Sequence, residues 1–419
     1  MSDTEPPVAA PRRVLPVIVA AQFACTSLWF AVNAVMPDVQ RALVLPAGAV
    51  ATLTSAVQLG FIAGTLVFAL LSVADRHSPR KVFLVCALLG AACNAAAAWL
   101  PVGMGGLVAL RAATGFCLAG IYPVGMKIAA GWYRQGMTTP ELVPSALRHP
   151  PRGARHGVGR PGTGPLGAAL GWLVGALVLG TALPHALRAS GTELPWHAVM
   201  WAVSALAVLG GVAVWWLVPD SPHLPASAAL QWRALGAVWS DRRLRASVFG
   251  YFGHMVELYT LWVLAPAIAM TRLAGSAVSW AAFATIGAGA LGCVAGGLVA
   301  QRAGSARVAA ACLAASGACC LIAPWGLQAG DAAFAAWLLA WGFAAAGDSP
   351  QFSALTANNA PRAAVGSVLT LVNSIGFAIS IVSIQLFVTL AQHHELATLA
   401  ASGERGASRH RCLRTRCVS

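Results

Sequence analysis

Apolar and polar positions along this chain come in blocks rather than in alternation. Long apolar runs are separated by short polar gaps, and a helix needs about 20 apolar residues to cross the hydrocarbon. The blocks predict eleven spans. Six come first: Val14–Met36, Ala49–Val73, Val82–Leu100, Gly106–Trp132, Leu166–Leu187 and His197–Val218. After a polar stretch come Ser247–Met270, Ala277–Val299, Val308–Trp325, Ala332–Leu355 and Ala364–Leu390. A backbone in lipid must satisfy its polar groups within its own segment unless it closes into a barrel, and the period of a barrel strand is missing from these runs. The expected fold class is therefore an all-α polytopic membrane protein with about 11 recognisable transmembrane helices.

Composition sharpens that picture. Only 10% of the 419 residues are charged and 58% are hydrophobic, against about 25% charged in an ordinary soluble domain. The formal net charge of +14 could suggest a nucleic-acid partner. Such a partner needs basic residues gathered on one face. Here they fill gaps between apolar runs, so the expected partner is the lipid bilayer and no nucleic acid. Eight of the ten cysteines lie inside apolar runs, where they act as small hydrophobes. Neither a metal site nor a cofactor is expected, and a monomer is.

Basic residues also orient the chain. With the N-terminus in the cytoplasm, the inner segments hold 17 Lys and Arg, while the outer loops hold only Arg41, Arg188 and Arg272. A bacterial-type inner membrane fits this asymmetry. Two stretches break the pattern. Residues 137–165 form an irregular insert rich in Arg, Pro, Gly and His, and 391–419 form a polar, basic tail, expected to be disordered, in place of a twelfth span. Both have the composition of a GC-rich gene read out of frame. A compensated frameshift in the first and an uncompensated one near residue 391 would account for them, and retranslation in the other two frames tests this.

The Pro- and Arg-containing connection 219–246 divides an N-terminal six-helix bundle, 1–218, from a C-terminal bundle of five helices, 247–390. A faint repeat supports the division. After the second span the chain reads Leu71-Ser-Val-Ala-Asp75-Arg76-His-Ser-Pro-Arg80-Lys81, and after the eighth Gly297-Leu-Val-Ala-Gln301-Arg302-Ala-Gly304-Ser-Ala-Arg307. Parallel half-repeats of this kind build several transporter folds.

These residues resemble the major facilitator superfamily of secondary transporters, whose loop between helices two and three reads approximately G-x-L-a-D-r-x-G-r-r. Asp75, Arg76 and Arg80 match it, while Leu71 and Ser78 replace its glycines. Arg111 and Gly115 resemble the family's R-x-x-x-G pattern in helix four. The resemblance covers residues 14–136 and 166–390. It implies a two-bundle fold, alternating access, and a central cavity lined by helices one, four, seven and ten. It also implies that Asp75 meets the start of helix eleven near Arg362–Val365, making Asp75, Arg76, Arg80 and Arg302 candidates for conformational gating.

Ionisable groups at membrane depth are costly and are functional candidates by default. Arg111 and Lys127 on span four, Glu257 on span seven and Asp348 on span ten all fall on helices that the resemblance assigns to the cavity. Glu257 lies about 15 Å into its span, at about 1.5 Å per residue, and is the leading candidate for proton coupling or solute contact. The bland reading is a neutral packing group. His254 is one turn away on the same face. A His-x-x-Glu metal site lacks further ligands. Arg111 suits an anionic solute or a structural ion pair. Lys127 can snorkel to the headgroups.

Asp348 precedes Ser349-Pro350, read as a helix broken inside the membrane with Ser349 as cap, or else as an ordinary interfacial cap. Asn33 and Tyr122 add neutral hydrogen-bonding groups and are also candidates for solute contact, or else interhelical glue. No phosphate-cradling loop and no catalytic constellation is present, so an enzyme is not expected. The function expected is proton-coupled movement of a small solute. The rivals are a non-transporting sensor on the same scaffold and an inactive product of a frameshifted gene.

Overall fold

The computed structural model describes residues 11–100, 102–132, 164–190, 194–220 and 230–415. Each apolar block folds as one helix or as consecutive helices. The first gives α1 (Val14–Thr26), α2 (Ala31–Ala34) and α3 (Met36–Leu43). Then come α4 (Ala49–Leu70), the short loop helix α5 (Val73–Arg76) and α6 (Pro79–Trp99). The fourth block divides into α7 (Met104–Leu118) and α8 (Tyr122–Trp132), and α9 (Gly164–Ala189) and α10 (Trp196–Leu217) complete the N-terminal half. A connection carrying α11 (Gly236–Ser240) leads to α12 (Arg242–Met270), α13 (Ser276–Ala303), α14 (Ser305–Leu321) and α15 (Ala323–Gly326). The chain ends in α16 (Asp331–Gly347), α17 (Ser349–Asn359) and α18 (Val365–Thr415). Among the described residues eight helices are long and apolar enough to cross a membrane, with shorter apolar helices beside them. The protein is thus an all-α, multi-pass integral membrane protein in two halves.

Three boundaries differ from expectation. Span seven begins at Arg242 rather than Ser247, because the Asp241 carboxylate caps it, accepting from the backbone N–H groups of Arg243 (2.7 Å) and Leu244 (2.9 Å). The tail expected to be disordered continues α18 to Thr415, since Ala, Leu, Glu and Arg in that stretch are good helix formers despite their polarity. Of the irregular insert, residues 137–163 lie outside the described residues, whereas Gly164 and Pro165 already begin α9.

Small residues set the helix spacing. A Cβ added to Gly60 would fall 1.9 Å from the Ala112 carbonyl oxygen, and one added to Gly115 would fall 1.9 Å from that of Val57, so α4 and α7 touch backbone to backbone. In the C-terminal half, a Cβ added to Gly292 of α13 would fall 2.1 Å from the Phe343 carbonyl oxygen, and one added to Gly296 would fall 2.8 Å from that of Gly347. Among the described residues, two seams join the halves. Gly171 of α9 packs on the Cys293 carbonyl and Gly297 of α13, and the Gln385 side chain of α18 donates to Ser55 Oγ of α4 at 2.9 Å. Gly304, at φ +85°, makes the left-handed turn into α14 and so explains the glycine in the second half of the repeat.

Candidate functional site

The polar groups gather where helices are interrupted. α1 stops at Thr26 and resumes as α2 at Ala31, freeing backbone carbonyls in mid-membrane. Arg111 of α7 answers this break: its guanidinium donates to the carbonyls of Leu28 (3.0 Å) and Trp29. The side chain is buried, at 1% exposure, and only Nε is without a hydrogen-bond partner. The residue read as an anion contact or a structural ion pair therefore stands as the tie between α7 and the break in α1. Nearby, Asn33 donates to Thr54 Oγ1 at 2.8 Å, joining α2 to α4, and Gln22 donates to the Tyr122 carbonyl at 3.2 Å where α7 gives way to α8.

Span ten breaks at Asp348, as the Ser-Pro dipeptide predicts, but Ser349 is not the cap. Asp348 occupies the cap position of α17, with Pro350 in the first turn, and its carboxylate makes no capping bond. It turns instead to α12, where Oδ1 lies 2.7 Å from His254 Nδ1. Both side chains are 1% exposed. The close approach of α13 to α16 at Gly292 and Gly296 brings the break into the interior of this half. The His254 ring lies between those of Tyr251 (5.9 Å) and Phe352 (6.1 Å).

Glu257 shares the His254 side of α12, as expected from their spacing, but a different set of groups holds it. Ser316 Oγ donates to Oε2 (2.8 Å), while Trp341 Nε1 (2.9 Å) and Cys320 Sγ (3.6 Å) approach Oε1. These partners come from α14 and α16, so the carboxylate is anchored within its own half. Tyr122 approaches from the other half. Its phenol is within electrostatic reach of Cys293 on α13 and of Tyr251 and Tyr259 on α12.

At the end of the molecule where Gln385 meets Ser55, rings from both halves fill the seam. Trp29 stacks on Phe377 (5.4 Å, 24°), Phe61 lies 4.8 Å and Tyr259 5.3 Å from the same ring, and Phe30 meets Trp262 edge-on at 5.8 Å. Sequence reasoning overlooked Phe377, Ser316, Trp341 and Gln351. The only available signal was for Gln351, a polar residue one turn beyond the broken helix.

The gating candidates lie at the opposite, basic end. Asp75 pairs with Lys127 of α8, a partner that the resemblance did not imply. Lys127 accordingly reaches a carboxylate within its own half. Arg76 and Arg302 are exposed. Arg80 ties the start of α6 to the end of α10: it donates to Asp220 Oδ1 (2.8 Å) and to the carbonyls of Val218 (2.9 Å) and Trp215 (3.2 Å), with its guanidinium over the Trp215 ring. The Arg80 hydrogen bond holds the Asp220 carboxyl below the usual carboxylate range. A carboxyl lowered on folding adds stability above its unfolded value, and that stability is lost as pH falls through the lowered value. Asp220 is half exposed, so solvent screening limits the effect. Arg80→Gln should cost on the order of 0.5–1 kcal/mol at neutral pH. In thermal melts the difference from the parent should shrink in acid, below about pH 4.

A sequence profile described as Major Facilitator Superfamily matches residues 18–384. Among curated proteins, none matches the sequence. Solved structures do match in fold. A bacterial homolog of the human lysosomal transporter Spinster, inward-facing and unoccupied, is 14% identical at a TM-score of 0.65, over 94% of this chain and 85% of its own. The human organic anion transporter MFSD10 is 17% identical at 0.63, over 90% and 93%. The proton:xylose symporter XylE, bound to a bromo-deoxyglucose, is 13% identical at 0.61, over 91% and 89%.

Proposed function

The chain belongs to the major facilitator superfamily, and from that premise we propose that it moves a small solute by alternating access, coupled to protons. The observation that carries this reading is the aromatic seam between the halves, which differs from the α9–α13 seam where Gly171 lies on the Cys293 carbonyl. Its ring contacts and the Gln385–Ser55 bond are side-chain contacts without backbone pairing, so they can part as a unit when the halves rock. A fused interface would offer no such choice. A small solute reaching Tyr122, Tyr251 and Tyr259 would touch both halves at once. Differential contact of this kind is what lets a ligand bias two states.

Proton coupling draws support from the ionisable groups buried on α12 and at the α16–α17 break, and from the likeness to a proton:xylose symporter. The solute reading does not rest on Arg111, because both of its Nη groups already donate to the Leu28 and Trp29 carbonyls. The basic end is proposed to face the cytoplasm of a bacterial-type inner membrane, with the protein acting as a monomer.

Thermal-shift screening of a solute library, followed by uptake of the best binder into proteoliposomes under an imposed pH gradient, tests the function. Uptake should follow the gradient. Glu257→Gln, which keeps the shape but not the charge, should lower it by about tenfold or more, the size typical of a lost charged hydrogen-bonded group. Binding without flux would identify a sensor instead.

A further inference from the structure

The His254–Asp348 pair, and Gln351 one turn further along α17, leave several buried polar atoms open. His254 Nδ1 faces Asp348 Oδ1, but His254 Nε2 and Asp348 Oδ2 are buried without a hydrogen-bond partner. Gln351, one turn beyond Asp348 and 0% exposed, has neither its amide oxygen nor its nitrogen paired. It lies beside Gly296, one turn along α13 from Cys293. Each buried polar atom left open calls for an explanation, and here three neighbouring positions on α12 and α17 supply them together.

We propose that the His254–Asp348 pair is the seat of the coupling proton, with Gln351 as the group that receives the water through which the proton arrives and leaves. The proposal rests on the reading of this protein as a proton-coupled transporter and names the residues that do the coupling. The chemistry is one reversible proton. With it, the pair is an imidazolium beside a carboxylate, or equally a neutral imidazole beside a carboxylic acid, and its net charge is zero. When the N–H or O–H bond breaks and the proton passes to water, the pair is left with one negative charge.

Sealed among helices, that charge is penalised by desolvation, so the pair retains its proton until water reaches it. The titratable neighbours are Tyr251 and Glu257 on α12, Cys293 on α13 and Cys312 on α14, with Tyr122 of α8 beyond Cys293. α18 brings no titratable side chain between Val365 and Gln392. None of these neighbours is a cation. Among these groups the imidazole is thus the one able to neutralise Asp348. Sodium is a poorer occupant, because the imidazole already covers one carboxylate oxygen and Gln351 supplies the only other side-chain oxygen of the cluster.

The test is infrared difference spectroscopy of the full chain in liposomes, stepped between about pH 5 and 9, where imidazole protonation is readable. A joint carboxyl and imidazole change should appear in the parent. It should disappear in both Asp348→Asn and His254→Gln and persist in Glu257→Gln. Two variants on different helices guard against the misfolding of one. The proposal is overturned by a parent spectrum without the joint change, by its survival in Asp348→Asn or His254→Gln, or by its displacement by sodium at fixed pH. Proton-driven flux is scored separately. Loss of the signal with flux still coupled would refute this seat and leave the transport reading standing. An intact signal without flux would keep the titrating pair but overturn the transport reading and, with it, the coupling role.

Discussion

Gly115→Leu should leave little or no monodisperse protein in mild detergent. The Cβ alone would fall 1.9 Å from the Val57 carbonyl oxygen and 3.0 Å from the Phe61 amide nitrogen, which are backbone atoms of α4 and cannot swing aside. The reciprocal contact, Gly60 on Ala112, closes the same pair of helices 1.9 Å from a carbonyl, so forcing α4 and α7 apart at one point opens both. Overpacking a soluble core typically costs about 1–3 kcal/mol because side chains and backbone yield a little. Here a whole helix must move, and the separation also disturbs Arg111, which sits one turn from Gly115 and ties α7 to the break in α1. The expected cost exceeds that range. Gly253→Ala is the matched control, because nothing lies within 4 Å of the added methyl. A monodisperse Gly115→Leu, with a melting temperature within a few degrees of the parent, would show that the helices do not meet as described.

The same pair of glycines marks what can and cannot be read from a membrane sequence. The spans were legible because each must be long and apolar, and hydropathy reports both properties. The R-x-x-x-G pattern placed Gly115, and the structure supplies its reason: contact between two backbones. The break at Asp348 was legible from Ser-Pro, because proline has no N–H to continue a helix. Partner choice was not legible. Glu257 and His254 are three residues apart and point to one side, yet one meets α14 and α16 while the other meets α17, and only the packing of α13 against α16 decides this. Arg111 could not be read as a carbonyl tie, because the break in α1 leaves no Gly or Pro at 27–30 to announce it. Nor could the Asp75–Lys127 pair, since it needs the loop after α4 to fold back on α8.

Phe377→Ala should shift the protein toward the state that opens at the Ser55–Gln385 end. This ring is the hub of the seam, within 4.8–5.4 Å of the centroids of Phe61, Tyr259 and Trp29, two of them on the opposite half. Aromatic pairs of this geometry add about 0.5–1.5 kcal/mol each beyond their buried area. The contact with Tyr259 lies within the C-terminal half and survives rocking, so it does not bias the states. The contacts with Trp29 and Phe61 cross the seam and do, because only interactions that differ between two states can shift their balance.

Losing two such contacts removes about 1–3 kcal/mol from the closed side, a change of about 5- to 150-fold in the equilibrium. The readout is the rate at which Ser55→Cys, 6% exposed in the closed seam, reacts with a membrane-impermeant maleimide added at that face, in a background with Cys320→Ser because that thiol is exposed. Phe377→Ala should raise this rate by about tenfold, and Phe377→Leu, which retains apolar bulk without the ring, should fall between. Arg80→Gln, whose contacts lie within the N-terminal half and at the first residues of the connection, should leave the rate unchanged. Equal rates in parent and Phe377→Ala would mean that the rings fill the seam without holding it shut, and the bias between states would then have to come from the α9–α13 contact at Gly171.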